Sequence, residues 1–242
     1  SSIAYRRPPR CSMNYPHASE DNSMNVLLFG ATGMVGQGVL RECLLDPGVQ
    51  QVLSIVRNPT SQHHPKLREL AHADFFDYTA IEPDLTGFDA CIFTLGVTSA
   101  GMSEQQYHHL TYDLTLEAAE TLARLNPAMT FLYVSGAGTD STESGRIMWA
   151  RVKGKTENAL LNLPFKAAYM FRPGFIQPLH GITSKTRSYR IFYAITKPIL
   201  PLAKALFPRQ ITSTEQLGRA MLKVARNGFP KPILEASDIN TL

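Results

Sequence analysis

The segment Gly30-Ala31-Thr32-Gly33-Met34-Val35-Gly36 constrains this chain more than any other. It follows a short apolar run, Val26–Phe29, and leads into helical spacing over Gly36–Leu45. A phosphate held at such a join needs free backbone N–H groups at a helix N-terminus, and side chains there would block its approach. Gly30 is expected to allow the tight turn, Gly33 the close approach of phosphate, and Gly36 close packing of helix on strand. Thr32, Met34 and Val35 complete the cradle. The spacing is G-x-x-G-x-x-G rather than G-x-G-x-x-G. The alternative is a plain tight turn with no ligand.

The punctuation that follows is regular. Asp46-Pro47-Gly48 breaks the first helix. Strands are expected at Gln51–Val56, Ala73–Phe76, Ala90–Leu95, Thr130–Val134 and Lys166–Phe171. Helices are expected over Tyr107–Leu125 and Trp149–Leu161, and a last one from Thr214-Glu215-Gln216-Leu217 to about Ala225. Apolar strands alternating with helices imply right-handed crossovers and a parallel sheet covered on both faces. The expected fold class is α/β, a Rossmann-type doubly wound parallel sheet in the order 3-2-1-4-5-6. A short added strand is expected near Ile233-Leu234, and a small helical cap over about 180–215. Residues 24–242 form one dinucleotide-binding domain in this reading.

The second strand ends Ser54-Ile55-Val56-Arg57-Asn58, without a carboxylate to bond the ribose 2′-OH of NAD. Arg57 lies 21 residues after Gly36. A guanidinium there pairs with a 2′-phosphate and stacks on adenine, which favours NADP(H) over NAD(H). An ordinary solvated arginine is the alternative. Asp74 and Phe75 are expected to flank the adenine, and Leu95 and Gly96 to lie beside the dinucleotide path.

Composition sets outer bounds. With 44% hydrophobic and 18% charged residues, a sizeable core forms. Lys plus Arg number 24 and Asp plus Glu 20, and this mild excess, without basic blocks, does not point to nucleic acid. Cys11, Cys43 and Cys91 are too few and scattered for a disulfide framework or a zinc site. The reading is a reducing, cytoplasmic protein. Residues 1–23 hold Arg6, Arg7, Pro8, Pro9 and Arg10, with no acid before Glu20 and no apolar period. They read as a flexible extension. Arg-rich, acid-poor composition also suits a mitochondrial presequence, but Pro8-Pro9 spoils an amphipathic helix.

These residues resemble the short-chain dehydrogenase/reductase superfamily, closest to its atypical, extended-like branch. The glycine motif is one part of the match. Val134-Ser135-Gly136-Ala137 resembles the strand end carrying the active-site serine, and Arg172-Pro173-Gly174 the segment passing the nicotinamide. Trp149-Ala150-Arg151-Val152-Lys153-Gly154-Lys155-x-Glu157 is similar to the Tat-interacting oxidoreductase-like and bacterial NAD(P)-binding epimerase-like proteins. The resemblance implies that Pro173 and Ile176 line the nicotinamide end. It also implies that Ser135 polarises a carbonyl and that Lys153 binds the ribose. A tyrosine four residues before that lysine would donate the proton, and here that position is Trp149. Indole is a donor only and no usable acid near neutral pH. Tyr112, in the helix after the fourth strand, is the candidate substitute, and Tyr107 is a second. Asp113 and His109, at i,i+4, suit a local pair.

Other constellations carry less. Tyr133 stands two before Ser135, so the G-x-S-x-G elbow is absent. His63-His64 and His108-His109 are adjacent pairs that do not share a helix face, and no metal is expected. The apolar stretch Ile191–Pro208 reads as a packed cap. A substrate lid, or membrane-surface docking with Lys185, Arg187, Arg190 and Lys197 as a basic rim, are the lesser readings. Two function classes remain. One is an NADP(H)-dependent oxidoreductase or epimerase-type enzyme on a small carbonyl or alcohol. The other is an NADP(H)-binding sensor, suggested by the missing tyrosine. The partner is a small-molecule substrate, and the chain is a monomer or a homodimer.

Overall fold

A computed structural model describes residues 23–182 and 210–242. The first strand, β1 (Met24–Phe29), lies in the middle of a seven-stranded sheet. Around it stand β2 (Val49–Val56), β3 (Leu67–Ala71), β4 (Ala90–Phe93), β5 (Thr130–Val134) and β6 (Ala167–Arg172). All neighbours pair in parallel in the order β3-β2-β1-β4-β5-β6. A short strand over Ile233–Glu235 adds in parallel beside β6, at the position expected. Two further short strands, β7 (Phe175–Gln177) and β8 (Ile211–Ser213), pair apart from the main sheet; the strand at Ile233–Glu235 is therefore β9.

β1 reads as an unbroken apolar run because both its faces are covered. Val26 and Leu28 join one core cluster, with residues of helices α1 (Met34–Leu45) and the helix over Thr214–Asn227. Leu27 and Phe29 join the opposite cluster, under the helix that ends at Leu125 and the one over Met148–Leu161. Between β4 and β5 the chain runs as α2 (Glu104–His108), a π-helical turn (His109–Asp113) and α3 (Leu114–Leu125). The helix over Met148–Leu161 is α4, that over Thr214–Asn227 is α5, and α6 covers Ala236–Ile239.

Three expectations change. The third strand is Leu67–Ala71, not Ala73–Phe76. It is an edge strand with exposed Arg68, so its pattern lacks the continuous apolar run of a central one. Ala73–Phe76 is apolar for another reason: Phe75 is a core residue, edge-on to Phe29 at 6.3 Å. The helix expected over Tyr107–Leu125 begins earlier, at Glu104, because Ser103 and Gln106 form a reciprocal capping box. The last helix is capped by Ser213, whose side chain accepts from the Gln216 N–H at 3.0 Å, rather than by Thr214. The cap over about 180–215 and the extension over 1–23 lie almost wholly outside the described residues.

Candidate functional site

The strand order reverses direction at β1, with β2 on one side and β4 on the other. In open parallel sheets the crevice at the carboxyl ends of such strands is where ligands bind. Here it is closed underneath by Thr94, whose N–H (3.0 Å) and hydroxyl (2.7 Å) both donate to the Phe29 carbonyl. Gly30 then turns with φ of +86°, a conformation that strains other residues. A Cβ on Gly30 would lie 2.9 Å from the Leu95 nitrogen, and one on Gly36 only 2.0 Å from the Gly30 carbonyl oxygen. The turn and the first helical turn therefore sit in direct backbone contact.

That contact leaves the α1 amino terminus open. Gly33 is its cap residue, in extended backbone, and no side chain caps the helix. No acidic residue occupies the first turn. The first N–H groups of a helix have no intrahelical acceptor. Those of Met34, Val35 and Gly36 are such groups, and Thr32, Gly33, Met34 and Val35 are half-buried rather than sealed in. Gln37 ties itself to the turn, donating to the Thr32 carbonyl at 3.1 Å.

The flanking residues divide. Arg57 is exposed past β2, with no hydrogen bond or ion pair among the described residues. Asp74 accepts from the Phe76 N–H at 2.9 Å in a local turn. The Phe75 ring is held in the core, so it does not flank an adenine. Leu95 is half-buried and Gly96 exposed, with open space where a Cβ would stand. Pro173 is buried and accepts from the Ala137 N–H at 2.9 Å. Ile176 lies on β7, paired with Thr212 of β8.

The remaining expected site residues lie on and around α4. Trp149 is half-buried, its ring 3.5 Å from where a Cβ on Gly138 would stand. One turn on, the Lys153 Nζ stands 5.4 Å from the centre of the Tyr133 ring. Lys153 has no hydrogen bond or ion pair among the described residues. Burial pushes its ammonium down to about 8, and only Glu157 opposes this. Tyr133 is fully buried, its hydroxyl without a hydrogen-bond partner in the described structure, and burial raises its phenol far above the ordinary value.

Ser135 is engaged elsewhere. Its hydroxyl donates to Glu157, with the Phe171 carbonyl also within reach at 3.2 Å. Glu157 is fully buried and receives the Arg172 Nε at 3.0 and 3.2 Å, as well as an Arg172 terminal nitrogen. Arg172 also reaches Ser141 and, at 3.2 Å, Glu235. Tyr112 does not join Lys153. Its ring lies under the Lys155 Nζ at 4.7 Å and beside His108 at 4.6 Å, on another side of α4. His109 pairs with Asp113 at 3.0 Å, as the i,i+4 spacing suggests, and His108 reaches the same carboxylate at 3.2 Å.

Sequence reasoning singled out neither Arg172 nor Glu157 as a pair, nor Tyr133 as the surface beneath Lys153. The available signal was Glu157 itself, a carboxylate one turn from Lys153 among the buried positions Val152, Thr156 and Leu160.

No protein-family model matches the sequence. The mitochondrial protein fmp52 of Emericella nidulans is 31% identical over 159 residues, 63% of this chain and 66% of that protein. The chain thus spans just under two thirds of its length. The mitochondrial protein fmp52-2 of Aspergillus terreus is 26% identical over 202 residues, 82% of this chain and 85% of that protein. These mitochondrial relatives overturn the expectation of a cytoplasmic location. Among solved structures, the Bordetella bronchiseptica enzyme WbmF in complex with NAD+ superimposes with a TM-score of 0.65 at 17% identity, over 92% of this chain and 78% of that one. An oxidoreductase of the short-chain dehydrogenase/reductase family from Burkholderia thailandensis gives 0.66 at 14% identity, over 89% and 92%. With the parallel sheet, the glycine turn at its switch point and these neighbours together, the chain has the fold of the short-chain dehydrogenases/reductases.

Proposed function

We propose that this chain is an NADP(H)-dependent oxidoreductase or epimerase-type enzyme acting on a small carbonyl or alcohol. One observation carries the reading: an α1 amino terminus with no side-chain cap, held open by a glycine turn too tight to admit a Cβ at Gly36. The residues present fit a dinucleotide. Backbone amides of Met34, Val35 and Gly36 would hold the pyrophosphate, while the Gly33 N–H closes the turn onto the Gly30 carbonyl at 2.9 Å. The exposed Arg57 guanidinium would hold a 2′-phosphate. Leu95 and Gly96 would lie along the dinucleotide, Lys153 at the ribose, and Pro173 and Ile176 toward the nicotinamide. A bound nicotinamide would supply two-electron redox chemistry there. The relatives' names support a mitochondrial location for this chain.

Arg57→Ala tests the cofactor assignment. Hydrogen bonds to charged groups contribute about 1.5–3 kcal/mol, so NADPH binding by calorimetry is expected to weaken by that amount while NADH binding changes little. Unchanged NADPH affinity in the variant sinks the NADP(H) assignment.

A second reading, an NADP(H)-binding sensor without turnover, is favoured by Trp149 standing where a proton-donating tyrosine is expected. Tight NADPH binding without turnover across a carbonyl panel would select it.

A further inference from the structure

We propose that Lys153 itself passes the proton to and from the substrate oxygen, in place of the helix residue one turn earlier. The proposal rests on the reading of the chain as a nicotinamide-dependent reductase. It starts from an elimination. Trp149 offers only an indole N–H, which does not ionise near neutrality. The Ser135 hydroxyl is spent on Glu157. Tyr133 is fully buried and holds its proton tightly. Tyr112 is drawn to Lys155 and His108. Lys153 is the remaining donor on this stretch of α4, and nothing among the described residues engages it by hydrogen bond or ion pair.

Its surroundings suit an ammonium that gives up its proton. On α4, Glu157 is the nearest carboxylate, and Arg172 already neutralises it. From β5, Tyr133 presents a ring face rather than an acceptor atom. From α2, the buried Tyr107 acts on Tyr133. A ring face stabilises the cation weakly compared with a carboxylate. Lys153 therefore titrates near about 8, within reach of working pH, where acid–base groups are most effective.

The step balances. A bound reduced nicotinamide would supply hydride to the carbonyl carbon, the C=O π pair moving to oxygen. That oxygen takes a proton from the Lys153 Nζ, giving alcohol, a neutral amine and oxidised nicotinamide. Water returns a proton to the amine.

The test uses the full chain with NADPH and three probe carbonyls: hexanal, benzaldehyde and cyclohexanone. The acid must be protonated for reduction, so kcat is expected to fall about tenfold per pH unit as pH rises above the Lys153 midpoint. Lys153→Arg keeps a cation for the ribose but cannot release its proton, since arginine does not deprotonate in proteins. We expect this variant to bind NADPH within about threefold of the parent while kcat falls by about 10²–10⁴-fold, a typical general-acid contribution. A second readout needs no turnover. After ¹³C reductive methylation, one lysine resonance, absent in Lys153→Arg, is expected to titrate near about 8, well below the ordinary value of about 10.4. A Lys153→Arg protein that keeps kcat and its pH midpoint overturns the proposal. So does a Lys153 that titrates with the other lysines, or a parent that binds NADPH and reduces none of the probes. Failure to bind NADPH overturns the cofactor reading itself, and is seen separately in the binding arm.

Discussion

Glu157 has no exposed surface, yet it pairs with Arg172 and accepts from the Ser135 hydroxyl. Removing one partner of a buried ion pair strands the other, at a cost of about 3–5 kcal/mol. Among the described residues Arg172 would keep the Ser141 hydroxyl and, as its ionic partner, the half solvent-facing Glu235. Glu157→Gln retains shape and some hydrogen bonding, so we expect a loss near about 3 kcal/mol in urea unfolding, the lower end of that range. A change within about 0.5 kcal/mol, typical of a surface substitution, would show that the pair adds little. The same residues mark where reading the sequence stops. Ser135 at a strand end and Lys153 on a helix are local patterns, and both were legible. That Ser135 turns to Glu157, 22 positions away, and Glu157 to Arg172, a further 15, is set by how α4 lies on the sheet. Phe75 shows the converse error. A residue at the expected place for a cofactor contact was apolar because it fills the core.

At the scale of elements, α1 and α5 pack side by side through two glycines. A Cβ on Gly38 would meet the Thr214 Cβ at 2.6 Å and the Thr214 carbonyl oxygen at 2.9 Å, both close to the α5 backbone. A Cβ on Gly218 would meet mainly the Glu42 side chain, at 2.8 and 3.1 Å, and the Gly38 carbonyl oxygen at 3.3 Å. Overpacking costs about 1–3 kcal/mol, and glycine-to-alanine in a helix returns up to about 1 kcal/mol. Gly38→Ala is therefore expected to lower stability by about 1–2 kcal/mol. Gly218→Ala is expected to lose less, about 0.5–1 kcal/mol, because its tightest contact is the Glu42 Cγ, which can turn about χ1, whereas the Thr214 carbonyl is fixed in the backbone. Thermal unfolding of the two variants decides this, and equal losses would contradict it. Element existence was largely legible, since buried strands and helix breaks are local signals. The π-helical turn at His109–Asp113 was not, because nothing in His-Leu-Thr-Tyr-Asp departs from helical spacing. The edge strand β3 was missed because exposure on one side removes the apolar run that identifies a central strand.

For the whole molecule, the described residues form two core clusters on opposite faces of the sheet, and β1 contributes to both. β1 is already complete at its first residue, with the Met24 N–H donating to the Gly48 carbonyl at 2.8 Å. The glycine turn, Arg57, Lys153 and the Glu157–Arg172 pair also lie within this body. Residues 1–23 carry no apolar period with which to dock, so deleting them is expected to leave fold and cofactor site intact. The melting temperature should move by less than about 2 °C, which corresponds to about 0.5 kcal/mol in a domain of this size. NADPH affinity by calorimetry should stay within about twofold, a change of under about 0.5 kcal/mol. Location is a separate matter. The deleted stretch carries Arg6, Arg7 and Arg10 with no acid before Glu20, a composition suited to mitochondrial targeting. Fluorescent fusions of the full and shortened chains in fungal cells test both points together. We expect the full chain in mitochondria and the shortened one, still folded, outside them. A shortened chain that melts many degrees lower would show that these residues stabilise the fold. One that still reaches mitochondria would place the targeting information in the folded body instead.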